Sequence, residues 1–82
     1  MGRVRRNKPK KLSQKLVTIR SYLKMSQTQM AGALKLKVHY SAVSSYERGT
    51  REPDLLILLR YARLAGVPME TLVDDDLNLP DI

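Results

Sequence analysis

The chain of 82 residues predicts an all-α fold of five short helices around one compact core, and three observations carry that expectation. Its length allows one domain with a thin core, too small to house a large enzyme cleft. Apolar residues recur at helical spacing, beginning with Leu12, Leu16, Ile19 and Leu23 at i, i+4, i+7 and i+11. Residues that start or stop helices, namely Ser26, Gly49, Pro53, Gly66 and Pro68, stand between the apolar segments.

Residues 1–11, MGRVRRNKPKK, hold little besides Arg, Lys and Asn, with too little apolar surface to offset the cost of ordering a backbone. They are expected to form a basic disordered arm that tracks phosphates or enters a minor groove, or else a solubilising tail. A first helix is expected over residues 12–24, its apolar stripe turned to the core and Lys15, Thr18, Ser21 and Lys24 off that stripe. Arg20, beside Ile19, sits where it lies along apolar surface or meets a carboxylate.

Ser26 supplies a hydroxyl acceptor for a second helix over residues 27–35, with Met30, Ala31 and Leu34 inward. Gly32 costs roughly 1 kcal/mol relative to Ala there, which fits tight packing against another helix. The third helix is expected to start at Tyr40 or Ser41 and to end at Arg48, where Gly49 takes a left-handed conformation. Only Val43 and Tyr46 are large enough to anchor it. Tyr40, Ser41, Ala42, Ser44 and Ser45 leave an uncharged outer face suited to a groove, since Ser both donates and accepts and Ala meets a thymine methyl.

Pro53 fits the first position of a fourth helix, and Asp54 complements its positive end. Leu55, Leu58, Leu59 and Ala62 are assigned to the core. That leaves Leu56, Ile57, Tyr61 and Leu64 without an internal partner, the kind of surface that marks association. Gly66 closes this helix, Pro68 opens the last, and Met69, Leu72 and Val73 supply its apolar side. Residues 12–73 are thus expected to form the domain and 74–82 a short, irregular acidic tail. The triplet Asp74, Asp75 and Asp76 points in divergent directions with no other ligand nearby, so no metal is expected.

Charge is segregated along the chain. The formal net charge is +7 and the pI about 10.1, yet the first acidic residue is Glu47, after eleven Lys or Arg. From Glu52 onward seven acidic residues face only Arg60 and Arg63. A basic first half points to a polyanion. The chain has no Cys and one His, which removes disulfides and most nucleophile and metal schemes, so no catalysis and no cofactor are expected. His39 is read as a loop or DNA-facing residue. The absence of Trp and Phe removes the usual platforms for stacking RNA bases. No apolar run nears a membrane span of about 20 residues, and no signal-peptide pattern follows the basic start. A soluble, cytoplasmic protein is expected, without membrane contact.

The stretches KLVTIR, MSQTQMAGAL and AVSSYERGTREPDLLILLRYARLAGVPMETLV, within residues 16–73, resemble the lambda-repressor-like helix-turn-helix family of Cro/repressor or Xre type. The resemblance implies a sequence-specific double-stranded-DNA-binding protein, a transcriptional regulator working as a homodimer. Gln27, with Thr28 beside it, matches the position that touches the DNA backbone or a base edge near it. The third helix would be the recognition element, bringing Tyr40, Ser41, Ala42, Ser44 and Ser45 to bases and Arg48 and Arg51 to phosphates. Arg20 and Glu47 match an Arg and Glu that pair structurally in this family. Lys24 and Lys35 stand where the family often has Gly. The link between the second and third helices is longer than usual, which lifts the recognition helix, repositions it, or supplies Lys35, Lys37 and His39 as backbone contacts. A dimer interface is expected at Leu56, Ile57, Tyr61, Met69 and Leu72. The alternative is an antitoxin- or coactivator-like module that uses the same fold to hold a protein partner.

Overall fold

The computed structural model describes residues 10–35 and 39–80, and the regular secondary structure among them is all α-helix. Five helices follow in order: α1 (Leu12–Tyr22), α2 (Gln27–Leu34), α3 (Tyr40–Arg48), α4 (Leu55–Ala65) and α5 (Met69–Val73). α2 packs chiefly on α3, α1 lies against α3, α4 and α5, and α4 pairs with α5. Leu16, Ile19, Met30, Leu34, Val43, Tyr61 and Leu72 are fully buried at the centre. No described helix is long and apolar enough to cross a membrane.

Local chemistry sets the helix ends. Ser26 and Gln29 form a reciprocal capping box: the Gln29 N–H donates to Ser26 Oγ at 3.1 Å and the Ser26 N–H to Gln29 Oε1 at 2.8 Å. α3 and α4 end on Gly49 and Gly66 with φ of 75° and 72°, the left-handed conformation that costs glycine least. α1 stops two residues short of the expected end, because Lys24 turns left-handed at φ 58° and closes it.

α4 departs most from expectation. It begins at Leu55 with Asp54 as its cap, the Ile57 N–H donating to Asp54 Oδ1 at 3.0 Å, so Pro53 precedes the helix and is itself buried. Its buried face is Ile57, Leu58, Tyr61 and Ala62, the i, i+1, i+4, i+5 pattern of a helix pressed into a core. Leu55 and Leu56, 66% and 58% exposed, face out. The expected interface therefore needs correcting. Ile57, Tyr61 and Leu72 are interior residues with no surface to offer, and Met69 is partly buried against the same core; Leu56 stays exposed.

Two charged residues expected at the surface hold the ends of the chain together. Lys15 is buried, and its Nζ donates to the carbonyls of Thr71, Asp74 and Leu77. Asp75 accepts the backbone N–H groups of Lys10 and Lys11 at 2.9 and 3.1 Å, capping α1 in place of a residue of its own. The root of the expected arm and the start of the expected tail are thus fastened to each other. Residues 1–9 of that arm and 81–82 of that tail lie outside the described residues. Gly32 is exposed, and no atom of the described residues lies within 4 Å of where a Cβ would stand, so close packing among them is not what keeps it.

Candidate nucleic-acid interface

The turn between α1 and α2 is held by a partly buried ion pair. Arg20 Nε and Nη2 donate to the two carboxylate oxygens of Glu47 at 2.6 and 3.0 Å, and Arg20 Nη1 donates to the Met25 carbonyl at 3.0 Å. The side chain of Glu47 is only 6% exposed and that of Arg20 22%. The hydrogen bond that Arg20 donates to Glu47 raises the Arg20 pKa, against the opposing effect of burial. Gln27 Nε2 adds a third donor to Glu47 at 3.1 Å. One carboxylate near the end of α3 therefore fixes α1, the turn and the first residue of α2 in a single arrangement, and a bidentate Arg–carboxylate pair resists rotation.

α3 starts on His39, whose Nδ1 accepts the Ser41 N–H at 3.1 Å and lies 2.8 Å from Ser41 Oγ. That cap stands in for the Ser, Thr, Asp or Asn usual there. The His39 ring also stacks at a tilt on Tyr40, centroids 4.5 Å apart. Tyr40 is 51% exposed, Ser41 is exposed, and Ser44 and Ser45 are half-buried along the same helix. Ser45 Oγ donates to the Ser41 carbonyl at 3.1 Å and accepts from Arg48 Nη2 at 3.4 Å, whereas Ser44 has no side-chain hydrogen bond among the described residues. Ala42, expected among the base-facing residues, is buried beside Val43 and Tyr46 and so belongs to the core.

Beyond α3, Arg51 is exposed with its guanidinium 5.8 Å from the centroid of the Tyr46 ring, within cation–π range. Arg48 and Thr28 are exposed as well. Lys37 lies outside the described residues. A cleft of about 300 Å³ at the seam of α1 and the α3–α4 loop is lined by Lys10, Ser13, Tyr46, Arg51 and Glu52 among others. Among the described residues no cluster of His, Asp and Glu is placed to hold a metal.

The arrangement presents an uncharged hydrogen-bonding helix face with arginines at its far end. Of the expected site residues, the fold groups Tyr40, Ser41, Ser44, Ser45 and Arg48 on α3 and ties Gln27 to that helix through Glu47. Sequence reasoning missed the Gln27–Glu47 bond. It also missed Lys15, although position 15 falls in the i, i+3, i+4, i+7 stripe of Leu12, Leu16 and Ile19; its charge masked that signal.

A helix-turn-helix family model matches residues 19–72, well over half of the chain. Among solved structures, the P22 c2 repressor protein in complex with synthetic operator 9T in the presence of Tl+ is similar, with a TM-score of 0.70 and 23% identity. The likeness covers 79% of this chain and 96% of that one, and at such identity it speaks for the fold. Comparison with curated proteins finds no match. With five helices in this order and the turn locked between α1 and α3, the chain belongs to the lambda-repressor-like helix-turn-helix family, of Cro/repressor or Xre type.

Proposed function

We infer that the chain binds double-stranded DNA sequence-specifically and regulates transcription. The observation that carries this reading is the outer face of α3: Tyr40, Ser41, Ser44 and Ser45, uncharged and able to donate or accept, stand ahead of Arg48 and Arg51. Such a helix fits the major groove, where base edges present a distinct donor and acceptor pattern. Gln27, Thr28, Lys37 and His39 join the arginines as backbone contacts, and the basic arm over residues 1–11 adds charge. Its membership of a helix-turn-helix family and the operator bound by the P22 c2 repressor protein support the reading. The protein acts without catalysis and without a cofactor, in the cytoplasm or nucleoid.

The working form is a homodimer on a two-fold-related site. Its apolar contact is Leu55 with Leu56, the adjacent exposed leucines that open α4, rather than the interior residues of that helix. The same pair favours a second reading, an antitoxin- or coactivator-like module that holds a protein partner through α4. Selection of bound duplexes from a random pool separates the two. Enrichment of a two-fold-related motif is the expected result, while retention of duplexes irrespective of sequence would sink the regulator reading. Sedimentation of a monomer even with DNA present would sink the dimer.

A further inference from the structure

Two lysines bracket α2, and both have a backbone conformation that glycine takes most readily. Lys24, at φ 58°, closes α1: its N–H donates to the Ser21 carbonyl at 3.0 Å and the Met25 N–H to the Arg20 carbonyl at 3.2 Å, the paired bonds of a Schellman cap. Lys35, at φ 60° and ψ 20°, closes α2 itself. The other two left-handed residues among those described are the glycines that close α3 and α4. A residue with a Cβ costs roughly 1 kcal/mol or more in this conformation. Lysine at both ends of α2 is therefore kept against the local preference. Both are exposed, and neither ammonium group has a hydrogen bond or ion pair among the described residues that would offset the strain.

Their placement decides the ligand. α2 has eight residues, so it is about 12 Å long, and it is the first helix of the helix-turn-helix, the one that crosses the DNA backbone while the second enters a groove about 12 Å wide. In that docking, cations at its two ends would lie beside phosphate. Nothing nearby in sequence repels that phosphate, because no acidic residue precedes Glu47, and the Glu47 carboxylate is already engaged by Arg20 and Gln27.

We propose that Lys24 and Lys35 form a pair of duplex-phosphate contacts, one at each end of α2, held as lysine for their charge at positions where the backbone favours glycine. This rests on the DNA-binding reading above.

Glycine substitution separates backbone from charge. Lys24→Gly, Lys35→Gly and the double variant are expected to unfold in urea at midpoints no lower than that of the unmodified chain. Their affinity for duplex DNA is expected to lose salt dependence by about 0.9 in the log–log slope per lysine removed, or about eightfold weaker binding at about 0.1 M salt for each. The loss falls equally on selected and random duplexes. Lys24→Asn and Lys35→Asn, which also tolerate the left-handed backbone, repeat the measurement should a glycine variant fold poorly, with the same loss expected. An unchanged slope in the folded double variant, with the unmodified chain binding duplex, overturns the proposal alone. An unmodified chain that binds no duplex at any salt overturns the DNA-binding reading, and the proposal with it.

Discussion

The Lys15 ammonium group donates to the Thr71 carbonyl at 2.8 Å from a side chain that is 6% exposed. The same nitrogen reaches the Asp74 carbonyl at 3.0 Å and the Leu77 carbonyl at 2.8 Å, so each of its three donors has an acceptor. α5 has only five residues, too few to persist by its own hydrogen bonds. A cation at its C-terminal end meets the carbonyls that the helix leaves open. One side chain of α1 thereby fastens both α5 and the segment after it.

Lys15→Met keeps the aliphatic stem and removes the donors. The expected loss is about 2 to 3 kcal/mol, the range for hydrogen bonds to a charged group with buried acceptors left behind. Urea denaturation measures it. Amide exchange should accelerate most over residues 71–77, and uniform acceleration across all five helices would mean that Lys15 serves the whole core instead.

The Asp75 carboxyl is held below the usual carboxylate range, chiefly by the backbone N–H groups of Lys10 and then Lys11. A carboxylate whose pKa falls on folding stabilises the folded state above its unfolded value, about 3.9. That stabilisation disappears as pH drops through the lower folded value. Asp75→Asn is expected to flatten this part of the acid limb. The gap between the unmodified chain and the variant should be constant above about pH 5 and close as the pH falls through the folded value. Denaturant midpoints across that range test it, and a gap independent of pH would remove Asp75 from the account.

Tyr61 is fully buried, and its hydroxyl finds no hydrogen-bond partner among the described residues. Burial pushes the phenol pKa up, and the nearby Glu47 charge adds to the rise. An unpaired buried hydroxyl costs folding energy that the ring does not need to incur. Tyr61→Phe is expected to stabilise the chain by about 1 kcal/mol in urea denaturation, the lower part of that penalty. Destabilisation by a similar amount would reveal a hydrogen bond to this hydroxyl.

Capping chemistry was the most readable layer of the sequence. Ser26, Gly49 and Gly66 act where a local reading puts them, because a cap depends on residues a few positions away. The phase of α4 was not readable, since LLILL is apolar at every position and periodicity has no polar face to measure against; only the Asp54 cap reveals which leucines turn inward. The clasp of Asp75 on Lys10 and Lys11 joins residues 65 and 64 positions apart, and nothing local announces it. In the candidate interface, the serines and arginines were legible from their chemistry and the Arg20–Glu47 pair from family resemblance. Ala42 was misplaced because a small residue fits a core and a groove equally well.

Ser44 and Arg51 separate base reading from phosphate binding. Ser44 lies half-buried on α3 with no partner for its hydroxyl among the described residues, and Arg51 is an exposed loop residue steadied over Tyr46. Ser44→Ala is expected to cost about 1 kcal/mol of discrimination at one base pair while leaving the salt slope intact. Arg51→Ala is expected to weaken every duplex alike and to lower the slope by about 1. Affinities for a set of single-base-pair variants of a selected site, at two salt concentrations, give both quantities at once. If Ser44→Ala weakened all duplexes equally, α3 would be lying along the backbone and the reading helix would have to be sought elsewhere.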